Sequence, residues 1–546
     1  MRRKLSPLLV ISLLAAATGV RFYLALHASY YLAADASFDD QLFLNYCTHL
    51  LKGEWLGPYN NTTLAKGISY AGFMYLGNEL HLPYPWLLGS VNFAASVAAS
   101  CAFYAVYKRR WVQGVVYLFF LYSPLTLTAE YATRIYRNAL VGSTVTFLIA
   151  GMIGLYATRA SVKKMLPWLL LVTGVLPIFW YLREDSLWLL PFLGVGLFLT
   201  GLKILLADKR RIMAVLMLSL PFLSLAATTQ LIKAQNEKHY GIALVNDRTQ
   251  GAFGRLMERL IRIKTAERDD AKVWVSKAQL KKATAVSPTL RKLDLDWIYH
   301  GSPWSSGEDI AGDIIFWALR DTATRAGLYQ DARSTENFWH QVVTELDRGY
   351  EQGQLQTKQE WYLTRTGDGK KTGDLPIVFE FIVAGMRHTI FYQGFAQGRE
   401  KSTGPASLIA HDEKILRTNL RQSKVHWATR LANASLAFQQ LLVKILLPAA
   451  IGGVIAKFIF QIKRRRLKEL FDYSVIFFGL LLTYFVFLIG IAWFCSWDPN
   501  RMVVFMLTYS GAGVIMVQFM LSWGLAGWLT ERGKFFDDHQ TIEAES

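Results

Sequence analysis

Apolar residues in this chain come in long runs separated by short polar gaps. The runs lie at 5–26, 87–107, 111–129, 139–157, 165–181, 187–206, 212–232, 436–460, 473–494 and 502–529. Each approaches or exceeds the roughly 20 residues that cross a bilayer as helix. Backbone groups cannot stay unpaired in lipid, so the pattern predicts about ten spanning helices. Residues 10–17 have the length of a cleavable leader core, but no convincing cleavage site follows, and the run is read as a span. Between 234 and 435 the pattern turns polar. Helical periodicity is plain at 314–324 and 335–350, Gly327 suits a helix stop, Pro288 and Pro303 mark breaks, and 377–383 reads as a short strand. The expected architecture is therefore a mainly α, polytopic membrane protein in three parts. Residues 1–233 hold seven spans and a first external loop at 28–85. Residues 234–435 form a mostly helical extracytoplasmic domain with weak β content, and 436–546 hold three spans and a charged tail.

Charge orients this pattern. The formal net charge is +18. Basic clusters fall at Arg2-Arg3-Lys4, Lys108-Arg109-Arg110, Lys163-Lys164, Lys209-Arg210-Arg211 and Lys463-Arg464-Arg465-Arg466, at every second gap between runs. Positive loops stay cytoplasmic, which places both termini inside and the gaps at 28–85, 130–138, 182–186, 234–435 and 495–501 outside a cytoplasmic (inner) membrane. Clusters distributed this way read as orientation signals and membrane-lipid contacts, not as a nucleic-acid surface.

Other features narrow the chemistry. The three cysteines, Cys47, Cys101 and Cys495, offer no disulfide framework for the 234–435 block and no zinc spacing. No internal repeat is present, whereas many carriers show matched halves. No metal site is assigned, although Asp39 and Asp40 are able to hold a divalent cation.

The first loop carries the sharpest signal. From Asp39 the apolar positions are Leu42, Phe43, Tyr46, Cys47, Leu50 and Leu51, the stripe of an amphipathic helix lying on the membrane surface. Ser37 is the expected cap and Gly53 the expected stop; Asp39 and Asp40 then occupy the first turn. Adjacent helical side chains diverge by about 100°, so the two carboxylates have different tasks, or both merely support the helix start.

This stretch, Asp39-Asp40 followed after Gln41 by LFLNYCTHLLKGEWLGPYNNTTLAKG, resembles the first loop of the GT-C membrane glycosyltransferases, in the branch of the protein mannosyltransferases and lipid A aminoarabinose transferases. The matching positions are Asp39, Leu50-Leu51-Lys52-Gly53-Glu54-Trp55 and Lys66. The departures are Asp40 where the pattern has Glu, and Gly67-Ile68 where it has two prolines. The resemblance implies inverting transfer of a sugar from a polyprenyl-phosphate donor to an extracytoplasmic glycan, lipid or protein. Asp39 is then the preferred general base, with Asp40 beside it. Arg501 resembles the arginine that the family places near the donor phosphate.

Cations at the outer span ends suit a departing phosphate: Lys66, Arg134, Arg137, Arg183 and Arg501. Glu184 and Asp185 complete a charged turn with Arg183, and Trp55 and Tyr59 offer ring faces; these four are candidate substrate contacts. Glu130 and Asp498 are further carboxylates. Each also has a plainer reading, as turn cap, headgroup anchor or interface aromatic. The rival class is a transporter, such as a lipid-linked-sugar flippase. A carrier needs ionisable groups deep in its spans, whereas here they collect at the outer ends; Arg21 is the main exception, and it lies close to the external end of the first span.

Overall fold

The computed structural model describes residues 6–207, 212–265, 272–305, 307–398, 400–421 and 427–545, with the side chains of 531–545 excepted. Two of the basic clusters, Arg2-Arg3-Lys4 and Lys209-Arg210-Arg211, lie outside these residues. The helices are α1 Pro7–Leu26, α2 Asp40–Leu51, α3 Ser69–Glu79, α4 Tyr84–Tyr107, α5 Arg110–Leu121, α6 Ala129–Ala132, α7 Val141–Thr158, α8 Val162–Trp180, α9 Leu190–Ala207, α10 Ile212–Met217 and α11 Leu220–Tyr240. They continue with α12 Gly251–Ile261, α13 Lys277–Val286, α14 Trp297–His300, α15 Ile314–Arg325, α16 Ala332–Glu351, α17 Leu375–Phe391, α18 Ala406–Leu416, α19 Trp427–Lys463, α20 Leu467–Cys495, α21 Met502–Tyr509 and α22 Gly511–Glu545. The fold is mainly helical; β structure among the described residues is limited to isolated bridges. Nine helical segments there are long and apolar enough to cross a membrane, which indicates a multi-pass membrane protein.

The tenth expected span, 111–129, differs. α5 stops at Leu121, because Ser123 precedes Pro124, which lacks an N–H and disfavours helix in the residue before it. Past the break the chain runs on to Arg134, which pairs with Asp40. The freed polar groups find partners on other helices. Gln439 donates to the Tyr122 carbonyl (2.8 Å), Gln518 to that of Phe119 (3.0 Å) and Arg21 to that of Thr126 (2.5 Å). Irregular backbone inside a membrane is tolerated where protein satisfies it in this way.

α7 is surrounded on nearly all sides by other helices. Its two ends carry charge clusters at opposite faces of the bundle. At one end Arg159 pairs with Asp472 of α20 (2.6 Å), which Lys203 of α9 also reaches (3.2 Å). At the other, Arg137 pairs with Glu184 (2.6 Å). The basic turn at Lys163-Lys164 sits at the first end, Asp39 at the second, in keeping with the alternation expected from the loops.

The 234–435 block divides between two cores. Phe253, Trp274, Phe316, Trp339 and their neighbours form one of their own. Val378, Phe381, Tyr392, Ile409 and Leu416 join the core of the membrane bundle instead. The strand expected at 377–383 is part of α17, a correction. Pro376 opens that helix, and its buried face packs against α20 and α21, where a lone strand would have no edge to pair with. Gly327, in the left-handed region at φ +85°, follows α15 as expected.

Candidate active site

A narrow backbone strip sets the geometry of the first loop. Residues 31–34 run between 133–135 and 403: Tyr31 N–H donates to Thr133 (3.1 Å), Ile135 N–H to Tyr31 (2.8 Å), and Ala34 N–H to Thr403 (2.9 Å). The chain then turns into α2. Ser37 is not its cap. Asp39 holds the N-cap position, but its carboxylate caps no backbone N–H and turns away toward Lys66. Gly53, at φ +75°, follows the helix end as expected.

The two aspartates diverge, as helical spacing requires. Asp40 is fully buried and committed. It accepts from Arg134 Nη2 (2.8 Å) and Nε (3.2 Å), and from the Ala33 N–H (3.0 Å). Asp39 keeps about half its side chain exposed, 49%, while pairing with a buried Lys66 and accepting from the Tyr136 hydroxyl (3.3 Å). Burial pushes both carboxyls up. Lys66, with Arg137 and Arg134 behind it, outweighs this for Asp39 and holds it below the usual carboxylate range. For Asp40 burial prevails over Arg134, and its carboxyl stays above that range.

Arg134, Arg137 and Arg183 join the same cluster. Arg134 forks onto Glu130 as well (3.0 and 3.2 Å) and lies over the Tyr136 ring, 4.5 Å from its centroid. Arg137 donates to the Tyr136 hydroxyl (3.3 Å) and pairs with Glu184. Burial opposes ionisation of Glu184, but Arg137 and Lys66 bring its carboxyl down to about 2. Arg183 is clasped by Asp185 (2.7 and 2.8 Å) and reaches Asn138 (3.2 Å), which donates to Glu130 (2.9 Å). Four cations thus face five carboxylates, Asp39, Asp40, Glu130, Glu184 and Asp185. Among the described residues no three His, Cys, Asp or Glu side chains converge as a metal-ligand set.

The Lys66 loop is held from the polar block. Asn246 donates to the Ala65 carbonyl (3.0 Å), Asp247 N–H to Leu64 (3.0 Å), and a buried Arg320–Asp247 pair (2.8 Å) grips the Asn61 carbonyl as well. Gly67, where the resemblance lacks its prolines, passes so close to the chain at Tyr181 that a Cβ would sit 2.1 Å from that carbonyl oxygen. Asn60 closes a turn onto Thr62 and Thr63, and Asn61 bonds Asp321.

Three expected contacts lie elsewhere. Trp55 donates to Asn236 of α11 (2.7 Å), and Tyr59 packs between Tyr240 and Tyr329. Arg501 is 61% exposed and meets Asp498 at 3.5 Å, with no contact to the cluster among the described residues. Conversely, Tyr136 and Asn138, which wire the cluster together, carried no signal in the sequence. Arg248, paired with Asp313 (2.9 Å) and stacked on Trp317, was equally silent; Trp317 in turn packs on Phe38, the neighbour of Asp39.

No family model and no curated protein matches the chain. Among solved structures, the crystal structure of ArnT from Cupriavidus metallidurans in the apo state aligns over 95% of this chain and 77% of its own, at 10% identity and a TM-score of 0.32. At that score the superposition carries no argument about this chain.

Proposed function

We propose that the protein is a membrane glycosyltransferase of the GT-C kind. It moves a sugar from a polyprenyl-phosphate donor to an extracytoplasmic glycan, lipid or protein, with inversion. The supporting observation is the Asp39–Lys66 pair, a half-exposed carboxylate on a buried ammonium at the ends of membrane helices.

In this reading the donor phosphate binds at Lys66 and Arg137, with Arg134 and Arg183 adding to the positive field. The cluster holds more carboxylates than cations, so a phosphate enters by exchange: it takes Lys66 and releases Asp39. Losing that pull lets the carboxyl rise, which improves it as a base once the donor is bound. Asp39 accepts the proton of the acceptor hydroxyl as that oxygen attacks the anomeric carbon and the sugar–phosphate bond breaks. The electron pair leaves with the lipid phosphate, whose charge Lys66 and Arg137 stabilise. Asp40 orients Arg134 and does not touch substrate.

The test is sugar transfer by purified protein from defined polyprenyl-phosphate sugars. Asp39→Asn is expected to lower kcat by about 10²–10⁴-fold, the range of a lost general base, with donor affinity no weaker, since the phosphate no longer competes with a carboxylate for Lys66. Undiminished transfer by this variant removes Asp39 from the mechanism. Donor translocation without any transfer favours the flippase reading.

A further inference from the structure

Separate anchors bring the polar block to the open side of Asp39. Asp247, whose N–H bonds the Leu64 carbonyl two residues before Lys66, is followed by Arg248. The Arg248 guanidinium lies over Trp317 of α15, 4.5 Å from its ring centroid. Phe38, next to Asp39 in the chain, packs on the same ring, 4.5 Å between centroids. Gly312 passes so close to Trp497, just beyond α20, that a Cβ would sit 2.7 Å from its ring. The next residue, Asp313, precedes α15 and accepts from Arg248 Nη2 (2.9 Å). Tyr509, the last residue of α21, closes the circle: its hydroxyl lies in the field of both Asp39 and Asp313.

The Arg248–Asp313 pair is unlike its neighbour Arg320–Asp247. The latter is sealed, at 0% and 8% exposed, and braces the Lys66 loop through Asn61. Arg248 and Asp313 keep 17% and 28% of their side chains exposed. Arg248 Nε and Nη1 and Asp313 Oδ1 make no hydrogen bond among the described residues, and none of the three is shut off from solvent. Two donors and an acceptor, held side by side on an aromatic ring, match two neighbouring hydroxyls: the guanidinium donates to one oxygen while the carboxylate accepts the proton of the other. A sugar ring presents such a vicinal pair. A serine or threonine of a peptide presents a single hydroxyl. Phe38, half-buried beside the pair, offers apolar surface to the C–H face of a sugar.

We infer that Arg248 and Asp313 form the acceptor site, and that the acceptor is a carbohydrate, gripped by two neighbouring hydroxyls while another of its hydroxyls meets Asp39. The assignment rests on the transferase reading and gives its acceptor a chemical class. The attacking oxygen belongs to the bound carbohydrate, its proton passes to Asp39, and the electron pair of the broken bond leaves with the lipid phosphate. Donor and acceptor then enter from different sides of Asp39, the donor at Lys66 and Arg137, the acceptor at the polar block.

The full chain in detergent, supplied with labelled polyprenyl-phosphate sugar, tests this with three acceptors. They are glycans released by mild acid from the envelope of the cells that carry the protein, the same glycans after periodate cleavage of their vicinal diols, and a peptide rich in serine and threonine. Label should pass to the intact glycans alone. Arg248→Gln and Asp313→Asn should each raise the half-saturating glycan concentration about tenfold to a hundredfold, the size of lost hydrogen bonds to charged groups. Maximal transfer, and donor hydrolysis without acceptor, should stay unchanged, which a merely structural role would not allow. Both variants should fold, because the Asp313 side chain caps no N–H of α15 and a partly exposed ion pair adds little stability. Unchanged half-saturation in both variants overturns the site and leaves the transferase reading standing. Transfer to the peptide, to the oxidised glycans equally well, or to water alone overturns the carbohydrate. A wild type that neither transfers nor hydrolyses any donor overturns the transferase reading, and the acceptor site with it.

Discussion

Asp39 and Asp40 differ by one position and by everything around them. Asp40 points inward to two nitrogens of Arg134 and has no exposure left, while Asp39 meets the open face. Lys66, Arg137 and Glu184 extend the exposed side into a chain in which each charge is held by the next. Such a chain responds to pH in a defined sense. Folding depresses the Glu184 carboxyl from 4.5 to about 2, so its contribution to stability is complete above the unfolded value and lost as pH falls through the folded one. The contribution is at most about 3 kcal/mol. The stability gap between wild type and Glu184→Gln should therefore be widest at pH 5–7 and shrink by more than half at pH 3, by roughly 2 kcal/mol. A gap that stays constant over that range speaks against the Arg137–Glu184 pair.

At the scale of elements, the bundle depends on small residues where helices touch backbone to backbone. α19 and α22 cross at Gly453 and Gly524: a Cβ at Gly524 would lie 2.6 Å from the Ala450 carbonyl oxygen, and one at Gly453 would lie 2.7 Å from that of Gly524. Close approach of this kind replaces the hydrophobic driving force that lipid removes. Gly524→Leu should lower Tm in detergent by several degrees, whereas the same change at Gly452, which has nothing within 4 Å of its Cβ position, should leave Tm unchanged. Equal effects at the two sites would refute the crossing. The broken span after α5 follows the same logic. Pro124 ends the helix, and Gln439, Gln518 and Arg21 supply the hydrogen bonds that lipid cannot.

For the whole molecule, the charge clusters at opposite ends of α7 give the bundle two unlike faces. The basic loops lead to the expectation that the Lys163-Lys164 face is cytoplasmic. Cysteines introduced singly at exposed Glu79 and exposed Lys163 check this. With Cys101 replaced in the background, an impermeant maleimide should label Glu79→Cys in intact cells, and Lys163→Cys only after permeabilisation. The reverse result would put Asp39 inside and end the proposal of extracytoplasmic transfer.

Read alone, the sequence determined the helical class, most span positions, the alternation of loops and the stretch around Asp39, because each rests on local composition or period. Lipid thickness sets run length, and backbone pairing compels helix. Lys66, Arg134, Arg137 and the Arg183–Asp185 turn were visible as charges at span ends. Tertiary structure alone decided which charges meet. Asp40 was taken up by Arg134, Trp55 and Tyr59 by α11 and the polar block, and Arg501 by Asp498. Tyr136, Asn138 and Arg248 had no sequence signature, since a hydroxyl, an amide or a guanidinium gains its role from partners distant in sequence, here Asp39, Thr508 and Asp313. The helix at 375–391 and the early end of α5 were settled likewise: a short apolar run takes helix or strand according to what packs on it, and a proline break survives in a membrane only where neighbouring helices complete its hydrogen bonds.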